Sequence, residues 1–504
     1  MHLHPIGSSF ALEISATGRL LTHRATLQYC DFLRGVSVNP FRFAALAIAG
    51  ILLTAYYGQS AYSQWSKDPT VNTPVYTLHK GYATPTAISD GSGGAILTWF
   101  DDRSGKADIY AQRLNRFGRR VWTKNGVLIC NATNQQFYPA IASDGKGGAI
   151  IAWSDQGRNQ VYAQHVDSLG RLKWMANGIQ VALSRQSFGV KIISDGRGGA
   201  IITFMSDFSK RVLAQCIDSA GKRIWSDSGV TVCSARGTRG IAEIIVDGMG
   251  GAIILWDDMR SGRWTLCTQR VDAAGKPLWT ADGIVIINQN VDPTEPDLIS
   301  DGAGGAIYVW GDNRTGSSHV RAQRISASGA ACWIADGEAI SSPSLDQNSP
   351  VIAADGAGGG IICWIEPIPS RSINETHLFA QRVNGAGELL WNSHGAAVCP
   401  AEEVQWHPRP VQSDSGSTII VWNEGRSNES DILSQRLSPS GKCLWTDDGI
   451  PISTAKNDQT DPVIVPDGRG GAIIAWKDRR FNLPRADDVD FFAQRVARDG
   501  NLGP

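Results

Sequence analysis

The chain has 504 residues, with 47 Lys and Arg against 48 Asp and Glu, and a formal net charge of -1. That balance excludes a basic field able to hold nucleic acid or an anionic membrane surface. Gly (55) and Trp (17) are abundant while Met (5) is scarce, the composition of short strands joined by tight turns and anchored by large aromatics.

Residues 1–63 read as a leader with a signal peptide. Its apolar core, residues 43–57, follows Arg34 and Arg42 and is short against the about 20 residues of a membrane span. Ala61 and Ser63 supply the small residues of a cleavage site, so cleavage after Ser63 is expected, leaving Gln64 first. Residues 1–41 are long and unpatterned, which a start misassigned upstream of Leu33 or Val36 would explain. A retained signal anchor is the competing reading. The expected location is secreted or cell surface, with the periplasm as the other compartment and no stable membrane insertion of the mature chain.

From residue 64 the chain repeats. Asp-Gly-x-Gly-Gly-Ala or a close variant opens at Asp90, Asp144, Asp195, Asp247, Asp301, Asp355, Asp414 and Asp467, a period of 51–59 residues. An apolar run ending in an aromatic follows, then Ala-Gln-Arg or a near variant, then Gly and a second Trp. A period of that size means a propeller or solenoid. In the second copy, residues 139–143 read as a short strand and 144–148 as a hairpin loop rich in positive-φ glycine. Residues 149–153 read as a strand covered on both faces, 161–166 as a third, and 171–174 continued by 178–181 as a fourth. Four strands per period is a blade. Residues 64–504 are therefore predicted to be all-β, an eight-bladed β-propeller. The last copy lacks its fourth strand, and residues 65–71, with Trp65 matching Trp122, are expected to supply it and close the ring.

Two Trp series mark the packing. The first is Trp99, Trp153, Trp256, Trp310, Trp364, Trp422 and Trp476, with Phe204 in the third copy; the second is Trp122, Trp174, Trp225, Trp279, Trp333, Trp391 and Trp445. Such regularity predicts wedges between sheets rather than a carbohydrate platform. An acid two residues and an Arg four residues after the first Trp recur as Asp101/Arg103, Asp258/Arg260, Asp312/Arg314, Glu424/Arg426 and Asp478/Arg480, predicted to be local ion pairs. Eight Cys beyond the leader show no metal-ligand spacing and read as small buried hydrophobes. No metal or other cofactor is expected.

Departures from the repeat mark where a ligand is expected. They are the loop inserts at 366–377 and 477–490 and the linker at 402–407. The candidate ligand-binding residues are Arg371, Glu375, His377, Trp406, His407, Arg480, Arg485, Asp487 and Asp488, with no catalytic residue assigned. The leading expectation is an exported, monomeric, non-enzymatic module that binds a protein or carbohydrate ligand on its loop face. Two alternatives stand beside it: a secreted hydrolase using channel-mouth carboxylates (Asp487, Asp488 or Glu366 with His377 or His407), and a structural module of a cell-surface assembly.

Ala-x-x-x-Asp-x-x-Gly-Lys-x-x-Trp at residues 214–225, nearly repeated at 268–279, is similar to the tryptophan-docking motif of quinoprotein dehydrogenases, which build eight-bladed rings. The Asp-to-Trp spacing is one residue shorter here, and there is neither a vicinal Cys pair nor a Cys-x-x-Cys-His haem site. The resemblance implies blade geometry and not quinone chemistry. The Asp-Gly-x-Gly-Gly turn loosely resembles the Asp-box of sialidases, with a different spacing to Trp. Over residues 65–500 the chain resembles repeat proteins exported by Bacteroidetes-like bacteria, often with a C-terminal type IX sorting domain. Here the chain is expected to end with its last blade and to lack that domain.

Overall fold

Because a polar turn and an apolar run alternate with a fixed period, each repeat folds into the same antiparallel sheet. The computed structural model describes residues 65–503 apart from 82, 185, 288–290, 342–344, 368–375, 401–402, 415, 427–428 and 482–487. The leader and its expected cleavage site lie outside these residues. Among the described residues the regular structure is all strand, with no helix.

In the second repeat, Gln136–Ser143, Ala149–Asp155, Gln160–Val166 and Ile179–Gln180 pair in that order. The second strand is buried along its whole length, as its unbroken apolar run requires. Six repeats form separate four-stranded sheets. The first and last repeats join into one eight-stranded sheet: Thr73–Gly81 pairs with Val489–Val496 and touches Ala95–Asp101 through Gly81 and Asp101. The N-terminal segment thus provides the fourth strand of the last sheet. It does so later than expected, since residues 65–71 are turn and the strand begins at Thr73.

The same shift holds in each repeat, and its cause is a side chain. The backbone N–H of Trp122 donates to Gln112 Oε1 (3.1 Å), and Gln112 Nε2 donates to the carbonyl of Thr123 (2.7 Å). The Gln of Ala-Gln-Arg satisfies the backbone at the second Trp, which needs no strand partner there. The indole then leaves its own sheet: Trp122 Nε1 donates to the Ser168 carbonyl of the next repeat (3.1 Å). Trp225 does the same to Ala273 (3.1 Å) and Trp279 to Ala327 (3.0 Å). Trp65 donates to Arg116 in the first repeat (2.9 Å). The first Trp series and Phe204 are fully buried, as predicted for core.

In the turns, Asp144 Oδ1 accepts from the N–H groups of Lys146 and Gly148, both at 2.8 Å. A Cβ on Gly148 would lie 2.4 Å from the Val166 carbonyl, so only glycine fits. The seventh turn departs from the expected register. Ser413 N donates to Ser417 O (2.8 Å), the bond that Asp144 N makes to Gly148 O (3.3 Å). Ser413, and not Asp414, therefore stands at the turn-Asp position.

The first strands of neighbouring sheets pack on one another. Ile88, Ile141, Ile192, Ile244, Leu298 and Ala354, from six of them, line one cavity of 480 Å³. This convergence of sheets is the arrangement of a β-propeller. The repeated acid and Arg are local pairs, as predicted, at Asp101/Arg103, Asp258/Arg260, Asp312/Arg314 and Asp478/Arg480: Asp101 accepts from Trp99 Nε1 (2.7 Å) and Arg103 Nε (2.8 Å). All eight described cysteines are free, and six are buried.

Candidate functional site

Seven first strands slip register near their start, for example between Phe137 and Ala140, Thr294 and Asp297, and Trp406 and Arg409. A bulge of this kind re-aims a side chain. The bulged residue takes a left-handed conformation at Tyr138 (φ 53), Glu295 (48), Ser349 (52), His407 (53) and Asp461 (54). Each of these five is followed by Pro, which removes a donor that the bulge leaves outside the ladder. Two residues further lie Ala140, Asp297, Val351, Arg409 and Val463, and the third and fourth repeats carry Lys191 and Glu243 there.

These positions bring charge together on the linker side of the central space. Glu243, Glu295, Asp297, Ser349, His407 and Arg409 line one pocket of 460 Å³. Asp297 is half-buried, accepting from Leu298 N (2.8 Å) and Ile352 N (3.0 Å). Burial pushes its carboxyl up to about 6 against those bonds; Glu243 adds to the rise and Arg409 opposes it. Glu243 itself is paired with the Lys191 ammonium. Across the pocket, His407 Nδ1 meets Asp461 Oδ1 (3.1 Å) and Lys477 Nζ meets Asp461 Oδ2 (2.7 Å). The hydrogen bond from His407, with that from Lys477, holds the Asp461 carboxyl well below the usual range. With Nδ1 engaged, Nε2 is the His407 nitrogen left for a ligand. The set combines a carboxyl poised to carry a proton near neutral pH, an ionised carboxylate and an oriented imidazole. That is the equipment of general acid–base chemistry.

A second, apolar cavity of 620 Å³ adjoins through Lys191 and is walled by Phe100, Phe137, Tyr138 and Phe188. Phe100 and Phe137 meet edge-on at 5.1 Å between centroids, and Tyr138 is 69% exposed.

Among the described residues predicted from sequence, His407 alone lines the polar pocket. Arg371, Glu375, Arg485 and Asp487 lie outside the described residues. Trp406 is half-buried against Gly425, and His377 sits opposite Glu366 in the ladder. Asp488 is buried. Arg480 is committed to structure, donating to Asp478 Oδ1 (2.8 Å), the Val71 carbonyl (3.0 Å) and Asn72 Oδ1 (2.9 Å), with its guanidinium over Phe492. Glu366 accepts from Trp364 Nε1 (2.7 Å) and Gln347 Nε2 (2.8 Å), so it belongs to the sheet. The acids that do gather, Glu243, Glu295 and Asp297, were missed. The signal for Glu295 was its place before Pro at the start of the copy, and for Glu243 and Asp297 the position two residues after the bulge.

No protein-family model and no curated protein matches the chain. Among solved structures, it is similar to a puromycin hydrolase (15% identity, TM-score 0.45, covering 82% of this chain and 61% of that one). It is also similar to a PL25 ulvan lyase (12%, TM-score 0.46, 85% and 96%) and to the Pyrococcus horikoshii acylaminoacyl peptidase (11%, TM-score 0.42, 81% and 59%). The chain spans about three fifths of the length of the puromycin hydrolase and the peptidase. The expected non-enzymatic binding module is corrected by these comparisons, since the proteins named are a hydrolase, a polysaccharide lyase and a peptidase. At such identities the likeness shows the fold alone, and what this chain acts on rests on its own site.

Proposed function

We propose that the eight sheets close into one eight-bladed ring and that its loop-side mouth hydrolyses glycosidic bonds. Closure is supported by the Trp65 indole bond to Arg116, by the pairing of Thr73–Gly81 with Val489–Val496, and by the packing of the last first-strand on the first. The hydrolytic reading is carried by one observation. The Asp297 carboxyl, raised to about 6, shares a pocket with Glu243 and faces His407 and Arg409.

In this reading Asp297 gives its proton to the departing glycosidic oxygen. Glu243, paired with the Lys191 ammonium, takes a proton from the water that attacks the anomeric carbon. His407 and Arg409 hold sugar hydroxyls on the opposite wall. Tyr138 and Phe188 offer ring faces to the neighbouring sugar, and the aromatic cavity gives this reading its preference over ester or amide hydrolysis. The leader reading places the enzyme outside the cytoplasm, among extracellular glycans.

The test is turnover of a panel of aryl glycosides and oligosaccharides, read as released phenol or reducing ends. Asp297→Asn is expected to lose about 100-fold or more in kcat with thermal unfolding at pH 5 no lower than wild type. Tyr138→Ala is expected to raise KM with little change in kcat. The rate should fall as pH rises through about 6, where Asp297 loses its proton. Full activity in Asp297→Asn would overturn the assignment of the acid, and no turnover across the panel would overturn the reaction class.

A further inference from the structure

The turn face, about 20 Å from the bulges along the first strands, carries a second site. In five sheets the turn Asp holds the Arg of Ala-Gln-Arg. Arg113, Arg270, Arg324, Arg382 and Arg495 donate Nε to Asp90, Asp247, Asp301, Asp355 and Asp467 at 2.9–3.0 Å. The seventh sheet keeps the arginine, Arg436, and loses the acceptor, because Ser413 occupies the Asp position and its hydroxyl donates to Gly470 O (2.7 Å). Arg436 is 5% exposed. Its Nη1 donates to the Arg498 carbonyl (3.0 Å) and its Nη2 reaches Asp414, but Nε has no hydrogen-bond partner.

Arg436, its Nε buried just beneath the surface, lines an open cavity of 860 Å³ whose walls bring together Arg436, Arg469, Arg495 and Arg498. Five sheets show what belongs on Nε: an anionic oxygen. Here the chain does not supply one at that position. Asp414 binds Arg436 and Arg498 from the side, and Asp499 stands at the wall, so the space suits a compact anion with oxygens pointing in several directions. Planar carboxylates are already represented by Asp414.

We propose that the turn face between the seventh and eighth sheets binds a tetrahedral oxyanion, a phosphate or sulfate group. The Arg436 guanidinium takes the place of anchor, with Arg469 and Arg498 closing on the remaining oxygens through charge-assisted bonds. The site is separate from the proposed hydrolytic mouth and does not depend on it.

The test is calorimetric titration of the protein with inorganic phosphate, inorganic sulfate, glucose 6-phosphate and acetate. Saturable binding of phosphate or sulfate is expected, tighter than that of acetate. Ser413→Asp restores the carboxylate that fills Arg436 Nε, so it should weaken oxyanion binding about 10-fold or more while the melting temperature holds or rises. Arg469→Ala, at an exposed residue, should weaken binding without unfolding the ring. Glucose 6-phosphate binding more tightly than phosphate would place the group on a sugar; equal binding would make the ligand the free anion. Undiminished phosphate binding by a folded Ser413→Asp, acetate binding as tightly as phosphate, or no saturation at about 10 mM, an affinity too weak for a multi-arginine site, would overturn the proposal.

Discussion

Replacing Trp65 tests how the N-terminal strand is held. The residue is 4% exposed, and its indole lies against Gly118, where a Cβ would come within 2.7 Å of Trp65 Cδ2. At about 25 cal/mol per Å² over roughly 150–250 Å², its burial contributes at most about 4–6 kcal/mol. Trp65→Ala is therefore expected to cost about 3–5 kcal/mol. Trp65→Phe keeps most of the area but leaves the Arg116 carbonyl without the indole donor that sits at 2.9 Å, a loss of about 1–2 kcal/mol. Trp225, which makes the equivalent bond to Ala273 at 3.1 Å inside the chain, serves as the internal reference. Urea unfolding followed by circular dichroism would measure Trp65→Ala and Trp65→Phe beside Trp225→Ala and Trp225→Phe. Equal losses at the two sites mean that the junction of the chain ends is as well made as an internal one. A Trp65→Ala cost below about 1 kcal/mol, beside a Trp225→Ala cost of about 3–5 kcal/mol, would refute the docking of the N-terminal segment.

Gly283→Ala should destabilise by at least about 2 kcal/mol, because φ is +86° and the new Cβ would lie 2.5 Å from Trp256 Cη2. Gly262→Ala, at the same φ with nothing within 4 Å, should cost only about 1 kcal/mol; equal unfolding midpoints for the two would sink the clash argument. Of the eight described thiols only Cys332 is exposed, so a disulfide reagent should modify one of them rapidly in the native state. Burial pushes the Cys363 thiol up, and its modification should wait for denaturant. Asp257 is raised to about 6 by burial and by Glu243, above its unfolded value. Its stabilising contribution is complete below pH about 4 and is lost as pH rises through about 6. Asp257→Asn should remove this dependence, stabilising the protein at pH 8 by about 1–2 kcal/mol after allowance for screening; unchanged pH dependence of Tm would contradict it.

The repeat was legible because its chemistry is local and recurrent. The turn Asp, the Gln and Arg of the third strand and the second Trp satisfy one another and the next sheet in nearly every copy, so their spacing alone announces the sheet. The exact start of the fourth strand was not legible. It depends on Gln112 taking over the backbone at Trp122, a side-chain substitution for a ladder bond that no propensity reveals. The pocket of Glu243, Glu295 and Asp297 was not legible for a different reason. Variation was sought in long loops, whereas Glu295, His407 and Asp461 vary at a position fixed in backbone and buried in the rhythm of the repeat. Misreading Asp414 as a turn Asp came from matching residue type ahead of register; the Ser413 to Ser417 bond corrects it.

Why function can collect at the bulges follows from what the scaffold demands there. At Tyr138, Glu295, Ser349, His407 and Asp461 the backbone must be left-handed and the next residue is Pro. The side chain leaves the ladder and meets no obligatory partner in the neighbouring sheet, so the fold sets its direction and leaves its identity free. The turn positions are the reverse. There the carboxylate serves two backbone N–H groups and the guanidinium of Arg at once, and a single change is felt by a buried donor, as at Ser413 and Arg436. Repetition therefore leaves two ways to make a site in one set of sheets. Free positions can be filled with acids and a histidine, as at Glu295 and His407, or a fixed partner can be removed so that a buried donor is left open, as at the seventh turn. The first leaves sheet stability nearly independent of the residues chosen. The second ties ligand affinity to the stability of the turn, so Ser413→Asp should exchange one for the other while Asp297→Asn changes catalysis and leaves the seventh turn untouched.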